Sequence, residues 1–321
     1  MNKKIKIFTV LIILGLVSGL ILFNEDEGIN YAYIPTALID APSAISENNF
    51  EENSINGKPF STGIETIQAL IGDATDIATL AEWPFLLSSL KRDDLRIVAV
   101  ISTAKSMGMV ANKDQGINTV KDLVGKKVGF PQGTSAQFVY ETLIDKAGIK
   151  NEVQAISLAP PNLQPSLIRG DIDAMVVWQP FLEKAIQENP EKYTFISGSE
   201  EALRVVYLVV TTEKYIKENP KGIRKVLEVL LEAEKRLDTK DSATLELLSK
   251  KTNLSKASLD KLLPLFEYDV KLDNTIIKTL ERLSIWAEST GIADKKVLEQ
   301  NWRNFIHADI LEKLAPQNVK F

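Results

Sequence analysis

The chain has 321 residues, enough for two modest domains, and its apolar and charged fractions of 45% and 25% are those of an ordinary globular protein. Its formal charge of −5 argues against a nucleic-acid partner. Because cysteine is absent, disulfides, thiol catalysis and thiolate metal sites are excluded, and a single histidine, His307, makes a histidine metal site or a Ser-His triad hard to build.

The N-terminus has the features of an export signal. Lysines within residues 1–6 precede an uncharged apolar run at 7–23, which an acidic segment at 24–27 follows. This asymmetry places the rest of the chain outside the cytoplasmic membrane. The run is longer than a typical signal-peptide core and at the lower limit for a spanning helix, so a cleaved signal and an uncleaved anchor both stay open; we favour the anchor. Gly19 stands where a lipoprotein signal has its lipid-bearing cysteine, which excludes thioether lipidation.

The next segment alternates between predicted strands and helices. The strands are predicted at 28–34, 54–60, 76–80 and 95–102, and the helices at 42–49 and 63–71. Such alternation is typical of a mostly parallel sheet covered by helices. The stretch 103–107 then crosses into a second lobe.

The second lobe repeats this alternation. Its strands are predicted at 108–112, 128–130, 153–156, 174–177 and 194–197, with a helix at 135–146. The apolar strand 202–211 returns the chain to the first lobe, so that 103–107 and 202–206 form a hinge. From Glu213 onward only helices are predicted: 222–237, 241–251, 256–263 and 275–289. The predicted domains are a signal or anchor with its linker at 1–27, a first lobe at 28–105 and 204–321, and an inserted second lobe at 106–203.

Two stretches of the chain nearly repeat each other. One runs from Ile71 to Leu86 and the other from Arg169 to Leu182. Each contains a Gly-Asp turn, a short apolar strand and an aromatic-proline step before a helix. The repetition predicts two similarly built α/β lobes whose strand ends face each other across a cleft. A small molecule would bind in such a cleft.

Glycines and tryptophans mark matched positions in this repeat. Gly72 and Gly170 can adopt the left-handed conformation that ends a helix. Trp83 and Trp178 are predicted in the loops that follow the buried strands, where each is either a core residue or a ligand contact. Of the two, Trp178 is the stronger candidate for a ligand contact.

Two turns have the composition of anion-binding helix N-termini. Gly133-Thr134-Ser135 follows a predicted strand and opens a helix, so a hydroxyl can cap the helix while backbone N–H groups stay free for an anion. Ser61-Thr62-Gly63 has the same form in the first lobe. Most such turns only cap a helix, but two that converge on one cleft would form a site.

Glu82 is the one carboxylate placed just past a buried strand and beside a predicted site tryptophan. It is either solvated at the rim of the cleft or a partner for a cationic or hydrogen-donating group of the ligand. The second interpretation favours a zwitterionic or donor-rich ligand over a simple anion such as nitrate, because like charges in a closed cleft repel.

The order of these motifs resembles the substrate-binding proteins of bacterial ABC importers, in the branch for aliphatic sulfonates, taurine, nitrate and thiamine precursors. The resemblance covers about residues 30–315 and is carried by the following segments: Gly72 to Phe85, Asp94 to Ala99, Asp122 to Gly129, Gly133 to Ala136, Gly170 to Ala174, Trp178 to Phe181, and Asn301 to Ile306.

The resemblance implies an α/β, two-lobed, type II periplasmic-binding fold with a helical C-terminal tail, preceded by the N-terminal signal or anchor. It implies that the lobes close on the ligand by a hinge motion. The implied ligand contacts are Pro35, Thr36, Thr62, Gly63, Ala81, Glu82, Gly133, Thr134, Ser135 and Trp178.

The function implied is solute binding without catalysis. We expect an extracytoplasmic monomer that binds a small organic molecule and docks on an ABC permease, with no cofactor, no metal and no catalytic residue. Two alternatives stay open. One is a membrane-tethered ligand sensor that serves no permease; the other is an enzyme of the kind that makes the thiamine pyrimidine.

Overall fold

The computed structural model describes residues 28–196 and 204–321. The predicted signal or anchor at 1–27 lies outside the described residues, and so does the beginning of the predicted strand 202–211. No helix in the described ranges combines the length and apolar character needed to cross a bilayer.

Two sheets with covering helices form the framework, which confirms the predicted α/β class. The first sheet has the order β12-β11-β4-β10-β3-β1-β2 and the second β7-β6-β8-β5-β9. We call each sheet with its helices a lobe. The strands are β1 Ile29–Tyr33, β2 Ile55–Pro59, β3 Ile77–Ala81, β4 Leu95–Ala104, β5 Met107–Asn112, β6 Lys127–Phe130, β7 Gln154–Ser157, β8 Ala174–Trp178, β9 Tyr193–Ile196, β10 Val205–Thr212, β11 Phe266–Asp273 and β12 Val319–Lys320.

Helices cover both sheets and form most of the C-terminal region. They are α1 Ala41–Ser46, α2 Gly63–Ile71, α3 Glu82–Ser89, α4 Ser135–Ala147, α5 Pro160–Arg169, α6 Phe181–Glu188, α7 Glu213–Glu218, α8 Pro220–Thr239, α9 Ser242–Thr252, α10 Lys256–Leu262, α11 Asn274–Ser289 and α12 Asp309–Leu314.

The expectation of mostly parallel sheets is wrong. β1 runs parallel to β2 and β3, but β10 is antiparallel to β3 and β4, and β5 is antiparallel to β8 and β9. The reversed strands lie where the chain changes sheet: β5 follows β4 directly, and β10 follows β9. A strand that arrives from the other lobe, without a helical crossover in its own sheet, is free to pair antiparallel. The predicted domain boundaries next to these strands stay predictions.

The expectation of helices alone after Glu213 is also wrong. β11 pairs with β4 and extends the first sheet. Its sequence, Phe266 to Asp273, alternates apolar or aromatic residues with charged ones, which is the period of a strand with one buried face. Val270 and Leu272 of this strand are fully buried.

The two repeated stretches differ in their turns. Gly170 has φ +80° as expected, whereas Gly72 has φ −87° and Asp73 takes the left-handed conformation at φ +56°. Trp83 is not in a loop, because α3 begins at Glu82, directly after β3. It is 1% exposed and packs between Phe138 of the second lobe and Trp286 of the first, with ring centroids 6.1 and 5.1 Å away. Trp83 is therefore a core residue between the lobes.

Candidate functional site

A cavity of about 460 Å³, counting space open to solvent, lies between the lobes near the carboxyl ends of β1, β3 and β8. Both lobes contribute to it. Its lining residues are Ile34, Ala37, Ile39, Gly63, Ala81, Pro84, Val205 and Tyr207 from the first lobe, and Ser106, Met107, Thr134, Ser135 and Trp178 from the second lobe and the crossing before β5. Most of this surface is apolar.

The first helix N-terminus at the cavity is that of α2. Thr62 caps it: its Oγ1 accepts a hydrogen bond from the N–H of Glu65, whose carboxylate in return accepts from the N–H of Thr62 at 2.9 Å. This capping box turns the Thr62 side chain to its own helix. Gly63, the next residue, lines the cavity, and a Cβ there would lie 3.0 Å from the Cβ of Leu80. Glycine therefore lets the start of the helix lie close to β3.

The second helix N-terminus is that of α4. Thr134 is its cap, accepting from the N–H of Ala136 at 3.2 Å and donating to the carbonyl of Pro131 at 2.7 Å. Gly133 precedes it with φ +77°, a conformation that favours glycine. Both hydrogen-bonding roles of the Thr134 hydroxyl are taken, and the Ser135 hydroxyl donates its proton to Glu82. The first N–H of α4 is therefore the donor that this helix start leaves at the cavity wall.

Glu82 lies behind the cavity wall and neither lines the cavity nor contacts bulk solvent; its residue is 4% exposed. Its Oε2 accepts from the N–H of Val206 at 2.7 Å, and its Oε1 accepts from the Ser135 hydroxyl at 3.5 Å. Burial raises the pKa of Glu82 to about 7. The rim position considered from the sequence is wrong: the carboxylate joins β10 to the first turn of α4 and so connects the two lobes.

A second buried carboxylate, Asp40, supports the loop after β1. It accepts hydrogen bonds from the N–H of Ile34 at 2.8 Å, from Ser43 at 2.6 Å and from Thr79 at 2.6 Å. The residue is fully buried, and burial raises its pKa to about 7. Because one of these three donors is the N–H of Ile34, Asp40 positions Ile34 in the cavity wall.

Two unpaired polar groups lie at the cavity. The indole nitrogen of Trp178 and the hydroxyl of Tyr207 are buried and have no hydrogen-bond partner among the described residues. Trp178 is the last residue of β8, and Tyr207 lies in β10, between β3 and β4. Tyr207 was not among the predicted site residues. All of β10 is buried, so no alternation in its sequence distinguishes the cavity side.

The predicted contacts divide into two groups. The structure places Gly63, Ala81, Thr134, Ser135 and Trp178 on the cavity wall. It places Pro35, Thr36, Thr62, Glu82 and Gly133 next to lining residues but not on the wall itself. Thr36 is exposed, while its neighbours Ile34 and Ala37 line the cavity. That any of these residues contacts a ligand stays a prediction.

Known proteins share both the sequence pattern and the fold. The chain is 24% identical over 204 residues to a binding protein of Brucella abortus, an alignment that covers 63% of each chain, so it spans less than two thirds of that relative. It is 25% identical over 259 residues to an aliphatic sulfonates-binding protein of Bacillus subtilis, covering 78% of this chain and 77% of the relative. A taurine-binding periplasmic protein of Escherichia coli is 25% identical over 150 residues, covering 45% of this chain and 46% of the relative.

Solved structures of the same fold include binding proteins and an enzyme. The alkanesulfonate-binding protein of Xanthomonas axonopodis pv. citri bound to MOPS superimposes with a TM-score of 0.73 at 18% identity, covering 88% of this chain and 98% of that one. A desulfurization enzyme superimposes with a TM-score of 0.65 at 13% identity, covering 91% and 99%. The family model described as NMT1/THI5 like matches residues 58–237, more than half of the sequence. The chain therefore belongs to the NMT1/THI5-like family.

Proposed function

We propose that this protein is the extracytoplasmic substrate-binding component of an ABC importer and binds a small organic solute, such as a sulfonate, taurine-like or thiamine-precursor-like molecule, between its lobes. The observation that carries the proposal is the cavity itself. It is bounded by both lobes, and the helices that begin at Gly63 and Ser135 both reach it. Backbone N–H groups at helix N-termini bind anionic groups without a basic side chain.

The relatives support a transport role. Those named above are binding proteins, of which two are named for sulfonate or taurine binding. For this chain we propose a monomer that closes on its ligand and docks on a membrane permease. The export signal read from residues 1–27 supports an extracytoplasmic location, and we propose that this segment tethers the protein to the membrane.

A desulfurization enzyme of the same fold makes catalysis the second candidate. The polar side chains on the cavity wall are Ser106, Thr134, Ser135, Trp178 and Tyr207. The described wall carries no histidine, lysine or carboxylate, and only the Ser135 hydroxyl has a carboxylate next to it, that of Glu82 behind the wall at 3.5 Å. Glu82 also accepts from the N–H of Val206, and we infer that it is structural rather than a general base, which favours binding over turnover. The third candidate, a tethered sensor, has the same binding step and differs only in its partner.

A thermal-shift screen of the full-length chain tests the binding function. Alkanesulfonates, taurine, nitrate and pyrimidines are the ligands, and the alcohol of each alkanesulfonate is the matched control without an anionic group. A ligand at about a hundred times its Kd stabilises the folded state by about 2.7 kcal/mol, which raises Tm by several degrees. If no compound raises Tm, the proposed function is wrong. Product formation by a stabilising compound would favour the enzyme, and uptake that persists without this protein would favour the sensor.

A further inference from the structure

Glu82 lies at the boundary between the lobes and is held from both sides. It is the first residue of α3, in the first lobe, and is 4% exposed. One carboxylate oxygen accepts from the N–H of Val206, in the strand that returns the chain to the first lobe, at 2.7 Å. The other accepts from the hydroxyl of Ser135, the first residue of α4 in the second lobe, at 3.5 Å. Part of the enclosure of this carboxylate is therefore supplied by the other lobe.

Asp40, the other buried carboxylate near the cavity, is held within the first lobe. Its three donors are the N–H of Ile34 and the hydroxyls of Ser43 and Thr79, all of which belong to that lobe. A movement of the second lobe would leave these hydrogen bonds in place. Of the two carboxylates, Glu82 is thus the one whose surroundings change when the lobes separate.

Little opposing charge surrounds Glu82. Arg282 of α11 acts on the carboxylate and lowers its pKa. Tyr207, the titratable residue of β10, stays protonated because burial raises its pKa well above the usual range. Arg204, just before that strand, pairs with Glu267 at 2.7 Å.

The other elements around Glu82 do not supply a counter-charge within the described ranges. Glu65 of α2 accepts from the N–H groups of Ser61 and Thr62. The strand β3, the rest of α3 and the first turn of α4 contain no titratable side chain. Burial therefore outweighs the hydrogen bonds and the field of Arg282, and it raises the pKa of Glu82 to about 7.

Opening of the lobes would reverse this burial. Ser135 moves with the second lobe, so water reaches the carboxylate and its pKa returns toward the ordinary value of 4.5. In the closed arrangement, protonated Glu82 keeps both contacts, because its carbonyl oxygen accepts from Val206 and its hydroxyl can donate to the Ser135 oxygen. The protonated acid thus fits the closed arrangement, and the ionised carboxylate fits the open one.

We propose that closure of the lobes is linked to the uptake of one proton by Glu82, so that a fall in pH favours the closed arrangement. This inference rests on the proposed function, in which the lobes close on a solute, and adds a control of that motion. Between pH 4.5 and about 7 the closed form holds a proton that the open form has released. The preference for closure is therefore fully present below this range and is lost as the pH rises through it.

Spin labels on the full-length chain test the proposal without a ligand. Because the chain has no cysteine, labels attach only at introduced cysteines. Lys121→Cys in the second lobe and Lys221→Cys in the first replace exposed lysines. Double electron–electron resonance measures the distances between the two labels. The ratio of closed to open protein should be about tenfold higher at about pH 5 than at about pH 8.

Two substitutions in the labelled chain assign the effect to Glu82. Glu82→Gln should give the same distance distribution at both pH values, whereas Glu232→Gln, at an exposed glutamate of α8, should respond to pH as the parent does. An identical distribution at both pH values in the parent, or a pH response that persists in Glu82→Gln, would overturn the proposal. The comparison of the parent at two pH values decides even if Glu82→Gln does not fold.

Calorimetry with propane-1-sulfonate separates this proposal from the function on which it rests. The sulfonate does not titrate at about pH 6, so proton uptake measured in buffers of different ionisation enthalpy comes from the protein, and it should be about one proton in the parent and about none in Glu82→Gln. Binding without proton uptake would overturn the linkage and leave the binding function intact. If neither this sulfonate nor any compound of the thermal-shift screen binds, the proposed function fails, while the spin labels still decide the linkage.

Discussion

Lys261 donates to both carboxylate oxygens of Glu183 at 2.9 Å and thereby joins α10, in the C-terminal helical region, to α6 of the second lobe. The carboxylate is shielded, with 8% of the Glu183 side chain exposed, whereas the lysine side chain is 65% exposed. One turn further along α6, Gln187 donates to Ser258 at 2.9 Å, so the two helices share a second contact. Together with the Glu82 contacts, these bonds hold the lobes in the arrangement that encloses the cavity.

We expect Lys261→Met to shift the unliganded protein toward an open arrangement. The apparent affinity for the preferred ligand should fall by a few fold, because it scales with the fraction of protein in the binding-competent form. Global stability should change by less than about 1 kcal/mol, since the lysine is largely exposed. Small-angle scattering of the unliganded protein and calorimetry of ligand binding measure the two effects.

The control for this variant is Lys256→Met, on the same helix, where the exposed lysine forms no ion pair within the described ranges. A double-mutant cycle of Lys261→Met with Glu183→Gln isolates the pair. Additive effects in that cycle would show that this ion pair does not hold the lobes together.

We expect Glu82→Gln to flatten the pH dependence of stability. Burial raises the pKa of Glu82 from 4.5 to about 7, so between these pH values the folded protein binds a proton that the unfolded chain has released. The contribution of Glu82 to the free energy of unfolding is therefore greatest below pH 4.5, the pKa of this group in the unfolded chain. It declines by roughly 1–3 kcal/mol as the pH rises to about 7. Asp40 contributes a decline of the same sign between 3.8 and about 7.

The measurement is chemical denaturation from about pH 4 to about pH 8. Glutamine can still accept from the N–H of Val206, so the variant should gain stability relative to the parent at the alkaline end only. Glu232→Gln, an exposed glutamate of α8, is the control and should leave the profile unchanged. If the free energy of unfolding depends on pH in the same way in the parent protein and in the Glu82→Gln variant, the decline in stability with rising pH is not due to Glu82.

Glu82→Gln should also alter the affinities for taurine and for propane-1-sulfonate by the same factor. Glu82 contacts Ser135 and β10 rather than the cavity, so any effect on binding acts through the arrangement of the lobes. Paired calorimetric titrations measure it. A selective loss of taurine binding would instead place the carboxylate against the ligand's amine.

We expect substitution of Thr134 to affect mainly stability and substitution of Ser135 to affect mainly ligand binding. Thr134→Ala removes the cap of α4 and should cost about 1 kcal/mol of unfolding free energy, which Thr134→Ser should restore. Ser135→Ala removes the hydroxyl that donates to Glu82 across the lobes and should weaken ligand binding through the arrangement of the lobes, with a smaller effect on stability. Denaturation and calorimetry on the three variants test this division; equal loss of affinity in Thr134→Ala and Ser135→Ala at unchanged stability would contradict it.

Much of the local structure could be read from the sequence. The caps at Thr62 and Thr134 and the left-handed turn at Gly170 follow from residues a few positions apart, and the structure has all three. The strand at Phe266–Asp273 had an equally local signal, the alternation of apolar and charged residues, and was missed because helices surround it. The antiparallel direction of β5 and β10 had no such signal, since it depends on where the chain crosses between sheets.

The sequence by itself determined the α/β class, the two lobes and the helix starts that reach the cleft, because periodicity, capping and turn conformation depend on near neighbours along the chain. Only the tertiary structure decided that Trp83 packs between the lobes, that Glu82 turns to Val206 and Ser135, and that Tyr207 lines the cavity. The physical reason is that a residue such as Tyr207, in a strand buried on both faces, takes its role from the strands and helices beside it, which lie far away in sequence.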